Sequence, residues 1–252
     1  MLYIFSQSLI VLLHIDEFIN TFMEDQKTTR LHGERVTLLR ERLPILRKFY
    51  DTCVETYPVN SIIPRPADVF LDPVVQDLIL PPPLSTTFTE KDLETLGVLF
   101  PDIVRRWRYI TEEKLLDMIA PHQKLTESSF QLATTIFSCR HCCSHPLTYP
   151  QVLIHNCATA FPGDAKDEEQ SVIRRSLDST NWNAANSITF DAKKFECLSE
   201  AIKVCGLDPE SATREDMDKR DPIFECLACN DLRKGRCTMS WLGVVFLFYF
   251  CP

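Results

Sequence analysis

The chain has 252 residues, 45% of them hydrophobic and 25% charged, with a formal net charge of −8. That composition is typical of a globular protein with one large domain or two ordinary ones. Its acidic surface repels phosphate backbones, which argues against general nucleic-acid binding. The short basic stretches at 103–110 and 233–236 read as solvated helix faces.

Eleven cysteines cannot all pair as disulfides, because the number is odd. The first run, "MLYIFSQSLIVLLH", lacks a basic segment before its apolar stretch and a small-residue cleavage site after it. It and the final "WLGVVFLFYFCP" are both shorter than the roughly 20 residues needed to cross a bilayer. Without an export signal the expected compartment is reducing, cytosol or nucleus, where clustered cysteines more often mean metal than disulfide. Both apolar runs join abruptly to amphipathic sequence. One or both of residues 1–15 and 241–252 are expected to lie outside the native domain, for example as translated introns; the alternative is a buried terminal strand.

From Val36 the apolar positions Val36, Leu39, Leu43, Leu46, Tyr50, Cys53 and Tyr57 step by three and four, the stripe of an amphipathic helix. Pro44 lies within it, so a kink or restart is expected there. Residues 57–66 read as a loop, Asp72-Pro73 as the N-cap and first residue of a helix, and 81–87 as a stiff connector. Thr89 with Asp92 resembles a capping pair for a helix, and Pro101 can open another through Ile103, Trp107 and Ile110. Residues 16–135 thus read as a helical region.

The region 136–240 is expected to be a small α/β unit, giving an α+β protein overall. The β-branched content of 151–157 and its flanking proline suggest a strand. Residues 163–181 read as a charged loop and Asn186–Phe190 as a short strand. Asp191 caps a helix whose face carries Phe195, Leu198, Ile202 and Cys205 and which closes at Gly206. Thr213 with Asp216 caps one more.

Metal-seeking side chains concentrate in "TTIFSCRHCCSHPLTYPQVLIHNC", residues 134–157. Cys139 and Cys142 form a C-x2-C knuckle, which brings two thiolates to one ion from a tight turn. On a strand, His155 and Cys157 share a face about 7 Å apart and can converge on zinc. Three thiolates and an imidazole make a closed, structural site. "FSCRHC" is echoed by "FECLAC" at 224–229. Cys226 and Cys229 therefore either join Cys139 and Cys142 around one ion, or hold a second with Cys237 and a further ligand. His141, Cys143 and His145 read as spare residues of the turn, and Cys197 and Cys205 as core. No oxyanion device or orienting third group accompanies any cysteine–histidine pair, so no catalytic residue is assigned.

"FSCRHC", "YPQVLIHNC", "SITFD", "VCGLDPESAT" and "ECLAC", with "RERLPILRKFYD" and "YPVNSIIPRP" upstream, resemble a set of uncharacterised zinc-finger-like proteins of mushroom-forming fungi. The resemblance spans roughly residues 16–241. Some members of that set carry an N-terminal F-box, for which "ERLPIL" is too short a match here. The resemblance implies a charged, histidine-bearing helix after Trp241, where this chain departs. It supports zinc and implies no mechanism.

The expectation is a non-enzymatic protein-interaction module stabilised by structural zinc, with protein partners, no small-molecule substrate and no membrane span. The alternative is a ubiquitin-ligase component, F-box-related or RING-like.

Overall fold

The computed structural model describes residues 2–81, 88–142, 145–161, 163–230 and 235–246, with the backbone alone described for 2–15 and 90. Most of the 81–87 connector, Cys143, part of the 233–236 basic stretch and the end of the C-terminal apolar run lie outside them. The chain divides into two units. The first comprises Met1–Thr56, Phe70–Val98 and Ala165–Asp178; the second comprises Tyr57–Val69, Leu99–Asp164 and Ser179–Pro252.

The first unit is built on α1 (Leu2–Glu55), which begins far upstream of the expected stripe and contains Pro44. Val36, Leu39, Leu43, Leu46 and Tyr50 are buried along one face. Each buried leucine contributes about 1.5–3 kcal/mol, so this face outweighs the roughly 3 kcal/mol cost of an interior proline. Beside α1 runs α5 (Glu168–Leu177), which corrects the expected charged loop at 163–181. Asp167 caps it by accepting from the Gln170 N–H at 2.8 Å. Acidic residues lead the helix and Arg174 and Arg175 end it, as its dipole favours. The acidic residues that suggested a solvated loop are docking groups. Glu169 pairs with Arg35 at 2.8 Å and Glu168 pairs with Arg40. Arg47 donates to the Leu177 carbonyl at 2.9 Å, and Val172 and Leu177 are buried.

Asp72 caps α3 (Pro73–Ile79) by accepting from the Val74 N–H, as expected. The Ile79 carbonyl at the end of α3 accepts from the buried Arg42 guanidinium at 2.7 Å.

After α2 (Pro66–Phe70), α4 (Glu90–Ile119) starts at the expected Thr89–Asp92 pair. It passes through Pro101 as one helix instead of restarting there. Phe100, Ile103, Trp107, Leu115 and Ile119 are buried, whereas Ile110 is half exposed.

The second unit has two short antiparallel sheets. β1 (Phe137–Cys139) pairs with β2 (Ile188–Phe190), with Cys139 opposite Ile188. β3 (Ile223–Glu225) pairs with β4 (Thr238–Ser240). Asp191 caps α6 (Ala192–Val204), which closes at Gly206 with φ +72°. Thr213 and Asp216 form a reciprocal capping box on α7 (Arg214–Arg220).

One apolar cluster gathers Trp107, Leu115, Ile119, Phe137, Cys139, Val152, Leu153, Trp182 and Ile188. Another gathers Ala133, Ile136, Leu198, Ile202, Met217, Trp241 and Val245. The C-terminal run opens as a 3-10 helix, Trp241–Phe246, that buries Trp241, Val244 and Val245. The Trp241 indole donates to Asp218 at 2.8 Å. The architecture is α+β, with a helical N-terminal half and short strands among helices in the C-terminal half.

Candidate metal centre

Cys139 ends β1 with its side chain turned to the core, as alternation from buried Phe137 requires. The ladder continues one bond further, from the Arg140 N–H to the Ser187 carbonyl at 2.8 Å. On the other side, Phe137 and Leu147 exchange two backbone hydrogen bonds of 2.9 Å, so the chain reverses between them. The Cys139–Cys142 knuckle lies within that reversal. The His141 N–H points to Cys139 Sγ at 3.4 Å.

The second ligand pair does not sit on a strand, which corrects the expectation for 151–157. Two consecutive 3-10 turns, Gln151–Ile154 and Asn156–Thr159, meet at His155, whose backbone is extended (φ −62°, ψ 126°). Val152 and Leu153 are both buried, which adjacent residues of a one-faced strand cannot be. The β-branched residues here serve the core, while β1 already has its partners in β2 and Leu147.

Long-range hydrogen bonds fix these turns. Arg65 donates to the Asn156 side chain at 2.9 Å, and the Ser187 hydroxyl donates to the Cys157 carbonyl at 2.8 Å. Asn183 adopts a left-handed backbone (φ 58°). Its N–H donates to the Ala158 carbonyl at 2.6 Å, and its side-chain amide makes two hydrogen bonds with Ile188. The Trp182 indole reaches the Val152 carbonyl at 3.4 Å. Arg65, Asn183 and Ser187 position the site, and local sequence carries no signal for them beyond the tolerance of Asn for a left-handed backbone.

The donor atoms of Cys139, Cys142, His155 and Cys157 all lie within 4.8 Å of one another. Cys142 Sγ is 3.1 Å from His155 Nε2. A tetrahedral zinc ion with bonds of 2.0–2.3 Å sets its ligands roughly 3.3–3.8 Å apart. No pair therefore stands more than about 1 Å outside that spacing, and the Cys142–His155 pair is already slightly inside it. Burial lowers the basicity of His155, which favours the neutral, ligating imidazole.

Without a cation the thiols compete for charge. Burial, then the neighbouring Cys139 and Cys157, push Cys142 up to about 12. Burial, followed by the hydrogen bond and charge of Cys139, raises Cys157. Burial also pushes on Cys139, but the His141 and Cys142 N–H groups and the two neighbouring thiols outweigh it and hold Cys139 low. Three thiolates crowd only around a positive charge. Soft sulfur with one imidazole suits a soft ion of the zinc class, and four protein ligands would leave a tetrahedral ion no position for water.

Cys226 and Cys229 are not members of this group. Cys139 and Cys142 are gathered with His155 and Cys157 and not with the second knuckle. Among the described cysteines none forms a disulfide. Cys197 is half-buried and directs its thiol to the Val244 carbonyl, and Cys205 is half-buried at the end of α6.

No protein-family model, curated protein or solved structure matches this chain.

Proposed function

We propose that the protein is a zinc-stabilised interaction module without enzymatic activity, in which Cys139, Cys142, His155 and Cys157 hold one structural Zn²⁺. The observation that carries this reading is the convergence of four soft donors from two turns 13 residues apart in the Cys142–His155 pair. Filling all four positions with protein ligands gives the ion a structural role. In small peptides such an ion contributes on the order of 10–16 kcal/mol, comparable to the 5–15 kcal/mol that holds a whole domain.

The interaction role is supported by α1, where Phe18, Ile19, Phe22 and Met23 are 49–72% exposed at helical spacing. Contiguous apolar surface of this kind marks partner sites. A reducing compartment, cytosol or nucleus, suits thiolate ligands. The ligase reading ranks second, because the four donors come from one continuous stretch and not from the alternating pairs of a cross-brace.

Metal analysis of the full chain tests the assignment. The Cys139→Ser/Cys142→Ser variant should hold one equivalent of zinc fewer than the parent. Equal zinc in both would refute it.

A further inference from the structure

Like β1, β3 leads into a C-x2-C knuckle. Glu225 is opposite Thr238 in the β3–β4 ladder, and one residue further the Cys226 N–H donates to the Cys237 carbonyl at 2.9 Å. Residues directly opposite in an antiparallel pair send their side chains to the same face, with Cβ atoms about 4.5–5.5 Å apart. Cys226 is buried and Cys237 half-buried. The chain then turns tightly from Cys226 to Cys229, whose N–H donates to the Cys226 carbonyl at 3.2 Å.

This places a C-x2-C knuckle beside a third cysteine across the hairpin. Asn230 secures it: its side chain accepts from the Cys237 N–H at 3.0 Å and donates to Glu225 at 2.6 Å.

We infer that Cys226, Cys229 and Cys237 form a second soft-metal site, binding a zinc-class ion through three thiolates. The strand register aligns Cys226 with Cys237, the turn returns Cys229 toward them, and the ion draws the sulfurs together. Zinc thiolates sit about 3.8 Å apart in a tetrahedral site; the three sulfurs are not gathered within 4.8 Å of one another as the donors of the first centre are, so binding has to draw them in. Binding converts three thiols to thiolates and releases their protons to solvent. Three protein ligands leave one position of the tetrahedron for water, which makes this site open where the first is closed.

Cobalt titration of the unmodified full chain under reducing conditions tests this without any variant. The thiolate-to-cobalt charge-transfer band should keep growing to two equivalents, and saturation at one would overturn the inference. Zinc content then separates the two centres. Cys226→Ser/Cys237→Ser should retain one equivalent of two, and that equivalent should disappear when Cys139→Ser/Cys142→Ser is added. Undiminished zinc in Cys226→Ser/Cys237→Ser overturns the second site and leaves the first standing. Loss of zinc only through the 226 and 237 substitutions supports the second site and removes the first.

Discussion

Cys142 Sγ and His155 Nε2 lie 3.1 Å apart, although 13 residues and a reversal of the chain separate them. Local structure on either side does not impose that approach; β1, the two 3-10 turns and the hydrogen bonds of Asn183 and Ser187 do. Replacing His155 by Ala leaves three thiolates and an open position. Loss of an outer-shell partner typically weakens metal binding about 10–100-fold, so loss of this ligand should exceed that range in competition with a chromophoric chelator. His155→Cys restores a four-ligand set and should keep most of the affinity. Equal weakening by both substitutions would show that the imidazole serves packing and not the ion.

Ser187 reaches the Cys157 carbonyl and not its sulfur, so its effect should be smaller. Ser187→Ala is expected to weaken zinc binding by no more than about 10-fold and to cost about 1 kcal/mol in denaturant unfolding. A loss as large as that of His155→Ala would mean the backbone at Cys157 is held by this bond alone.

Behind β1, the almost fully buried Lys194 donates to Ser138 Oγ at 2.6 Å and lies 3.2 Å from Asp191. Burial pushes the Asp191 carboxyl up. The Ser138 hydroxyl, the Lys194 N–H and the ammonium more than offset this and hold it below its ordinary 3.8. Removing one partner of a buried pair costs about 3–5 kcal/mol, and partial exposure of Asp191 brings Lys194→Met to roughly 2–3 kcal/mol. Because Asp191 titrates low, the pair's contribution is present above pH 3.8 and is lost as pH falls through the folded value. Variant and parent should converge in strong acid, and a gap independent of pH would contradict this.

Asp68 behaves in the opposite sense. Its Oδ1 accepts from the Trp182 N–H at 2.8 Å, while its buried Oδ2 has no hydrogen-bond partner among the described residues. Burial above all raises it to about 6, against the Trp182 and Arg65 N–H groups and the charges of Lys114 and Arg65. A raised folded value means the group favours folding fully below 3.8 and loses that contribution as pH rises through about 6. Asp68→Asn keeps the acceptor and removes the charge. At pH 7.5 it should be more stable than the parent by on the order of 1–2 kcal/mol, and the difference should vanish near pH 4. A pH-independent difference in chemical denaturation would contradict the buried charge.

Much of this was legible because it is written locally. The α1 stripe from Val36 to Tyr50 repeats at helical spacing, and Asp72, Thr89, Asp191 and Thr213 sit where helices need caps. The ligand residues were legible by type and spacing. Their scaffold was not. Val152 and Ile154 suggest a strand, but a strand needs a partner, and sequence does not reveal that β1 is already paired on both sides. The acids in the first turn of α5 suggest solvent until their arginines on α1, about 130 residues away, are in view. Pro44 and Pro101 suggest breaks, yet the buried residues around them hold the helices together. Arg65, Asn183, Ser187 and Lys194 act through contacts that no local pattern encodes.

Zinc-edge X-ray absorption on the zinc-loaded Cys226→Ser/Cys237→Ser chain tests the first centre most directly. Three sulfurs at about 2.3 Å and one nitrogen at about 2.0 Å around a single ion are the result expected. A first shell of oxygen and nitrogen without sulfur, or no retained zinc in a folded chain, would contradict it.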